Sequence, residues 1–157
     1  VLTVVSRLLQ LTTADVTCFG EKDYQQFVLV QRLNELEASL ANVRFIGVPT
    51  ARDSDGLALS SRNRYLSTLE RQQALAIPQC IQRVQQACAD GVSAQAASLE
   101  GFNALVQAPG VAVDYVTVRG ADLGPAPTRG IGRVLVAARV GSTRLIDNAE
   151  VILGGAA

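Results

Sequence analysis

The sequence predicts an α/β fold in which a parallel crossover is followed by a small domain of helices and antiparallel strands. Three features of the chain support this fold. Residues 1–50 alternate between helical and strand patterns in the order α-β-α-β. Residues 67–108 show helical patterns with their own start and stop signals. Residues 111–153 show strand-like alternation interrupted by Gly, which is typical of antiparallel strands.

Two helices are predicted in the first fifty residues. Apolar residues recur at three- and four-residue steps through residues 1–13 and again through residues 27–40. The second helix is expected to begin at a capping box, because Asp23 stands three residues before Gln26.

Two strands are predicted between and after these helices. The β-prone runs at residues 15–19 and 43–48 end at Gly20 and Pro49. With a helix between them, they form one right-handed crossover of a parallel sheet. Parallel strands are normally covered on both faces, so we expect further strands upstream of this chain.

Two more helices are predicted after a polar loop. Ser67 and Glu70 have the spacing of a capping box, which opens a long helix that runs toward Asp90. Pro78 must kink or divide that helix, because it lacks a backbone N–H and crowds the preceding turn. An Ala-rich helix is expected to begin at Ser93.

The C-terminal part is predicted to be a small antiparallel sheet. Its last two strands are expected to be joined by a two-residue hairpin turn at Gly141 and Ser142. A Gly/Pro-rich loop separates them from the first strand. The expected strands are residues 111–119, 133–140 and 143–153.

Composition excludes several classes of function. The 14 basic and 14 acidic residues balance, so no net charge would attract nucleic acid or an anionic membrane. No apolar stretch approaches the roughly 20 residues of a membrane span, and no signal peptide is visible, so we expect a cytoplasmic protein. The chain has no His and no C-x-x-C pair, so no metal site is predicted, and its three Cys are expected to be buried.

The first candidate site lies where the first strand ends and the next helix begins. Open α/β sheets bind ligands at such points, and the free N–H groups of a helix N-terminus favour anions. Gly20 would let the backbone approach a ligand, Lys22 would supply a charge for phosphate, and Gln26 could donate to a carboxylate or hydroxyl. Glu21 is expected to be a structural or ribose contact. The alternative is a charged surface turn in which Asp23 is only a cap.

The second candidate site is the polar loop at residues 55–64. Ser60, Ser61 and Arg62 could surround a phosphate with neutral and charged donors. Gly56 would act as a hinge that lets the loop close over a nucleotide. The alternative is a solvated linker between domains.

The two candidates together suggest one activity. Both follow strands of the same crossover, so we expect them at one edge of one sheet. Donors around an α-phosphate are what an enzyme needs when it charges an acid with AMP, because negative charge builds there in the transition state.

Four runs of sequence resemble the pantothenate synthetase (pantoate–β-alanine ligase) family, within the nucleotidyltransferase group related to class I tRNA synthetases. The runs are FGEKDYQQ at residues 19–26, GVPT at 47–50, DGLALSSRNRYLS at 55–67 and RLIDN at 144–148. The resemblance implies that residues 1–50 are the C-terminal part of a Rossmann-like nucleotidyltransferase domain. It also implies that residues 51–157 are a small α+β lid domain.

The same resemblance implies a reaction and roles for residues. Pantoate and ATP, as its Mg²⁺ complex, would give pantoyl adenylate and pyrophosphate, and β-alanine would then displace AMP to give pantothenate. Gln26 matches a pantoate contact, while Lys22, Ser60, Ser61 and Arg62 match the residues expected to act at the adenylation step. The residues implied to contact ATP are Gly20, Glu21, Lys22, Asp23, Ala51, Leu59, Ser60, Ser61 and Arg62.

The family's His-x-Gly-His motif has no counterpart in this chain. The resemblance therefore implies the C-terminal half only, inactive without its N-terminal half, with the family homodimer expected of the full-length protein. Two alternatives stay open. One is a non-catalytic nucleotide-binding or interaction module that reused this half, and the other is a related acid-activating ligase with a different substrate.

Overall fold

The structure, a computed structural model, describes residues 1–154, without the side chain of Asn34. The chain forms two compact units, Val1–Thr50 and Ala51–Ala157. The lid domain predicted for residues 51–157 thus ends three residues outside the described part. The α/β fold class is confirmed, since a parallel sheet precedes a separate antiparallel sheet.

The first unit is a two-stranded parallel sheet with its helices. The strands pair from Val16 against Arg44 to Gly20 against Val48, which confirms the predicted crossover. Short 3₁₀ turns occupy Glu21–Asp23 and Ala38–Leu40. The elements are α1 (Leu2–Thr12), β1 (Val16–Gly20), α2 (Tyr24–Gln31), α3 (Leu33–Leu36) and β2 (Arg44–Val48).

The helix predicted over residues 27–40 is wrong, because the chain breaks it into α2, α3 and a 3₁₀ turn. Glu37 adopts an extended backbone, with φ −129° and ψ 108°. Its carboxylate accepts hydrogen bonds from Ser6 at 2.5 Å and Gln10 at 3.0 Å, both on α1. Leu40 is buried beyond the break. Tertiary contacts with α1 therefore outweigh local helix propensity here.

The predicted Asp23 capping box is also absent. Asp23 precedes α2, but its side chain makes no capping hydrogen bond. Its backbone, with φ −93° and ψ 58°, belongs to the 3₁₀ turn rather than to the extended conformation of a typical N-cap.

The second unit packs three helices and one 3₁₀ turn with a three-stranded antiparallel sheet. The strand order is β3-β4-β5, and α5 and α6 form one continuous core with the sheet. The elements are a 3₁₀ turn at Ser61–Tyr65, α4 (Thr68–Gln73), α5 (Ala76–Ala89), α6 (Ala94–Val106), β3 (Val111–Gly120), β4 (Gly130–Val140) and β5 (Thr143–Leu153).

Pro78 divides the predicted long helix, and the structure shows where. α4 ends at Gln73 and α5 starts at Ala76, so the break lies around the residue four before the proline. Ala74 cannot receive the usual hydrogen bond from Pro78, and its carbonyl accepts from Ile77 N at 3.0 Å instead. The capping box at Ser67 and Glu70 is confirmed, as is the Ser93 cap of α6.

The antiparallel sheet matches the predicted strands with two refinements. A β-bulge between Val113 and Tyr115 shifts the buried positions of β3 from odd to even residues, which explains the irregular alternation of the sequence. β4 begins at Gly130, three residues earlier than predicted, because residues 130–132 pair with β5. The hairpin at Gly141 is confirmed: Val140 pairs with Thr143, and Gly141 has φ +57°.

Cysteine burial is partly as expected. Cys80 and Cys88 are buried in the core, but Cys18 is exposed, so the prediction for that thiol is wrong. Cys18 points to the open face of the two-stranded sheet, where nothing in the first unit covers it. No helix among residues 1–154 has both the length and the apolar character needed to cross a bilayer.

Candidate functional site

The first group of predicted site residues lies at the carboxyl end of β1. Gly20 ends that strand and pairs with Val48, the last residue of β2, so the two strand ends meet at one edge. Glu21, Lys22 and Asp23 follow in the 3₁₀ turn, and α2 begins at Tyr24. The structure therefore brings Gly20–Asp23 together at the kind of edge where α/β sheets bind ligands.

The backbone of Gly20 is accessible. A Cβ atom added to Gly20 would meet no other atom within 4 Å. Gly20 has an ordinary backbone conformation, with φ −68°, so no turn geometry requires a glycine there. Because Asp23 does not cap α2, its carboxylate does not occupy the helix N-terminus. Open space beside Gly20 and a helix N-terminus that Asp23 does not cap are both suited to an anionic ligand.

Gln26 lies in the first turn of α2 with an exposed side chain, and Lys22 is partly buried one turn earlier. Lys22 can supply a charge to phosphate oxygens, and Gln26 can donate or accept hydrogen bonds.

Gly47 is a residue of this edge that the sequence did not single out. A Cβ at Gly47 would lie 2.8 Å from the ring of Phe27 and 2.9 Å from the carboxylate of Glu21. Gly47 thus lets Phe27 pack on β2 and keeps Glu21 against the strand backbone. A glycine inside a strand pattern is the signal that could have identified it.

In the second unit, residues 51–59 form a tight turn closed by backbone hydrogen bonds. Leu59 N donates to Ala51 O, and Asp53 N donates to Leu57 O, both at 2.9 Å. Gly56 sits at the tip with φ +89°, which explains the need for glycine there. Gly56 N also bonds to Asp53 O, so the predicted hinge residue lies in a closed turn.

Arg52 anchors this turn to β5. Its guanidinium binds both oxygens of Asp147, at 2.7 and 2.9 Å, and donates to the carbonyls of Gly56 and Asn148. The side chain of Asp147 is only 2% exposed. The sequence placed Asp147 in a family-like run but assigned neither residue a role, because they are 95 positions apart.

Arg71, on α4, holds the other side of the turn. It contacts Asp53 at 2.8 Å and Asp55 at 2.9 Å. Its hydrogen bond holds the pKa of the Asp55 carboxyl below its usual range. The charges of Arg52 and Arg71 are therefore both matched by carboxylates within the unit.

The segment Ser60–Arg62 follows this anchored turn. Ser60 caps the 3₁₀ turn by accepting from Arg62 N at 3.2 Å. Arg62 donates to the carbonyl of Arg144 at 3.2 Å, and Asn63 donates to Ala58 O at 3.1 Å. Ser61 and Arg62 are exposed, as are Ala51 and Leu59.

Arg62 differs from the other two arginines in its charge balance. Among residues 1–154, no carboxylate forms an ion pair with Arg62, whereas Arg52 and Arg71 each have one or more. The neighbouring Arg64 contacts Tyr65, through its hydroxyl and its ring. An exposed, uncompensated guanidinium beside two hydroxyls is suited to a phosphate chain.

No cluster of His, Cys, Asp or Glu that could hold a metal occurs among the described residues. Gly20–Gln26 belong to the first unit, and Ala51 with Leu59–Arg62 belong to the second. That the two groups share one ligand at one sheet edge stays a prediction.

Comparison with known proteins identifies relatives over nearly the whole chain. The family model described as pantoate-beta-alanine ligase matches residues 1–150. Pantothenate synthetase of Rhodococcus jostii (strain RHA1) is 51% identical over 154 residues, covering 98% of this chain and 48% of that protein. Pantothenate synthetase of Mycobacterium sp. (strain JLS) is 47% identical over 156 residues, with the same coverage. The chain spans about half the length of the curated relatives it matches.

Solved structures are similar over the same range. Pantothenate synthetase from Thermus thermophilus has a TM-score of 0.84 and 38% identity over 94% of this chain and 53% of its own. A pantoate-beta-alanine ligase from Francisella tularensis, complexed with beta-gamma ATP and beta-alanine, has a TM-score of 0.66 and 28% identity. The match with this ligase covers 94% of the present chain and 48% of the Francisella chain.

Proposed function

This chain belongs to the pantoate-beta-alanine ligase family, and from that premise we propose that it works in the ATP-dependent joining of pantoate and β-alanine. The observation that carries the proposal is the Ser60–Arg62 segment. It offers two hydroxyls and a guanidinium without a carboxylate partner in the described part of the chain. Together with the donors of Gly20–Gln26, this is the chemistry that a triphosphate needs.

The proposed reaction has two steps. A carboxylate oxygen of pantoate attacks the α-phosphorus of ATP, the bond to the β-phosphate oxygen breaks, and pyrophosphate leaves. The amine of β-alanine then attacks the acyl carbon, AMP leaves, and the nitrogen loses a proton. ATP enters as its Mg²⁺ complex, which neutralises part of the phosphate charge.

The residues have separate roles in this proposal. Lys22 and the N-terminus of α2 bind the α-phosphate, where charge builds during the attack. Arg62, with Ser60 and Ser61, binds the β- and γ-phosphates and stabilises pyrophosphate as it leaves. Gln26 orients pantoate.

The remaining ATP contacts are proposed for the nucleoside part and for the backbone around it. They are Gly20, Glu21, Asp23, Ala51 and Leu59.

We propose further that the activity requires residues beyond this chain, in an N-terminal half. The chain covers only about half of its relatives' length, and it contains no His for proton transfer. The full-length protein is then expected to form the homodimer of its family in the cytoplasm.

The first experiment measures AMP and pyrophosphate release with pantoate, ATP, Mg²⁺ and β-alanine. We expect no turnover by residues 1–157 alone. Activity should appear when the N-terminal half of a relative is added, in cis or in trans. Substantial turnover by the chain alone would overturn the requirement. ATP binding without turnover in the completed protein would favour the non-catalytic module.

Single substitutions in the completed enzyme assign the roles. Lys22→Ala or Arg62→Ala should slow pantoate-dependent pyrophosphate release by about 100- to 1,000-fold. The step in which added pantoyl adenylate reacts with β-alanine should change little. Arg83→Ala is the matched control, because Arg83 forms an exposed ion pair with Glu100 at 3.5 Å and lies outside both candidate groups of site residues. Unchanged adenylation in Lys22→Ala would refute its phosphate role.

A further inference from the structure

The ion pair between Arg52 and the buried Asp147 contacts the turn that leads into the segment the proposed function assigns to ATP. Asp147 is 2% exposed and Arg52 is 30% exposed, which sets the pair apart from the Arg83–Glu100 pair, whose side chains are 57% and 49% exposed. Both oxygens of Asp147 are used by the Arg52 fork, and Asp147 Oδ1 also accepts from Asn148 N at 2.8 Å. Because the guanidinium is bound at two points, its orientation is fixed as well as its distance from the carboxylate.

Arg52 and its neighbour Ala51 are bonded to the residues just before the Ser60–Arg62 segment. Arg52 pairs with Ala58 as an isolated antiparallel bridge, and Leu59 N bonds to Ala51 O. The same guanidinium holds the carbonyl of Gly56 at 3.0 Å. The residues directly before Ser60 are therefore held to the short segment that carries Ala51 and Arg52.

The other side of the segment is anchored to β5, the strand that carries Asp147. Arg62 donates to the carbonyl of Arg144, three residues before Asp147 on β5. Asn148, next to Asp147, accepts from Arg133 Nε of β4 at 2.9 Å. β5 thus contacts the segment at one end directly and at the other through Arg52.

We propose that Arg52 and Asp147 are positioning residues, whose two-point ion pair fixes Ser60–Arg62 in the conformation that binds the triphosphate. The inference rests on the proposed function, in which this segment binds ATP. Both terminal nitrogens of Arg52 are bound by Asp147 and two carbonyls, so in this proposal it acts through the segment and not on phosphate. Preorganised donors need no rearrangement when charge develops, whereas a displaced donor loses most of its effect.

The test uses two variants and one control in the completed enzyme. Asp147→Asn keeps the shape but leaves the guanidinium without its counter-charge. Arg52→Lys keeps the charge but removes the two-point hydrogen bonding to Asp147. It also allows the proposal to be tested if Asp147→Asn does not fold. Arg83→Ala controls for the loss of an ion pair elsewhere in the same unit.

Hydrogen exchange of amides 57–63 reports on the segment without requiring activity. We expect exchange there to rise by about tenfold or more in Arg52→Lys and further in Asp147→Asn, while amides of α5 stay protected. The rate of pantoate-dependent pyrophosphate release should fall by about 10- to 100-fold at saturating ATP, with the KM for pantoate nearly unchanged. Arg52→Lys should lose less than Asp147→Asn.

Three results would overturn the proposal. They are unchanged exchange at residues 57–63 in both variants, a uniform rise across the second unit, and a local rise with normal adenylation kinetics. If the wild-type completed enzyme forms no adenylate, the proposed function fails instead. The exchange data would then still decide whether the pair fixes the segment.

Discussion

The two units of this chain differ in the size of the core and in the contacts that support their candidate site residues. The second unit encloses one continuous core from the antiparallel sheet, α5 and α6, and the ion pair of Arg52 with the buried Asp147 fastens its loop to that sheet. The first unit has a small core made of Leu9, Val30, Leu33, Leu40 and Val43. Its Gly20–Asp23 edge is held by five paired residues of each strand.

The first unit also leaves much apolar surface uncovered. One face of its sheet exposes Val16, Ile46 and Val48, and α1 exposes a stripe of Val4, Leu8 and Leu11. The residues proposed to bind phosphate in the second unit form hydrogen bonds within that unit. Those of the first depend on a sheet that stabilises itself weakly.

The largest expected effect concerns independent folding. A fragment of residues 51–157 should unfold in one cooperative thermal transition, because its core is complete. Residues 1–50 alone should show no cooperative transition, since a core in a chain this short rarely supplies more than about 3 to 5 kcal/mol. Circular dichroism and calorimetry measure both. A sharp transition in residues 1–50 would remove the contrast between the units.

Thiol reactivity compares the units within one molecule. Cys18 is exposed, whereas burial raises the pKa of Cys80 to about 11 and also raises that of Cys88. At pH 8, a disulfide reagent should label Cys18 at least about 100-fold faster than the other two thiols. Cys18→Ser should abolish the fast phase. Fast labelling of three thiols would contradict a closed core in the second unit.

The buried Cys80 thiol also links stability to pH. Cys80 has a folded pKa above its ordinary value of 9.0, so its contribution to stability is complete below that value. It is lost as the pH rises from 9.0 toward about 11, because the unfolded thiol ionises first.

Two glycines separate packing from ligand access in the first unit. Gly47→Ala should destabilise it by about 1 to 3 kcal/mol, because the new methyl would overlap the Phe27 ring and the Glu21 carboxylate. Gly20→Ala meets no atom within 4 Å and should leave stability unchanged, while raising the KM for ATP. Denaturant titrations of both variants make the comparison. Equal stability losses would show that Gly20 is a packing glycine too.

The smallest expected effect concerns the two predicted helix caps. Ser67→Ala removes a capping box that is present and should cost about 1 kcal/mol, whereas Asp23→Ala removes no capping hydrogen bond. Hydrogen bonds from Ser67 lower the pKa of Glu70 below 4.5. The contribution of this box is therefore present above pH 4.5 and is lost as the pH falls through the folded pKa. A cost for Asp23→Ala equal to that for Ser67→Ala in thermal unfolding would restore the predicted cap.

The success of the two cap predictions differed for a physical reason. Both Asp23 and Ser67 precede a side-chain amide or carboxylate at the right spacing. Ser67 has the extended backbone that a cap needs, with φ −63° and ψ 168°. Asp23 does not, because the 3₁₀ turn after β1 sets its backbone. The same limit applies to residues 27–40, where hydrogen bonds from α1 to Glu37 ended the helix early.

Features that depend on local chemistry could be predicted from the amino-acid sequence. Short-range rules predicted the parallel crossover, the Ser67 capping box and the Gly141 hairpin. The family was identified by resemblance, chiefly of the continuous runs at residues 19–26 and 55–67. Which arginines are free to meet phosphate depends instead on tertiary contacts. Arg52, Arg62 and Arg71 look alike in sequence, but the distant Asp147 neutralises the first, and Asp53 and Asp55 neutralise the last. The charge of Arg62 is not compensated, because no carboxylate of the described residues forms an ion pair with it, and no local pattern records that arrangement.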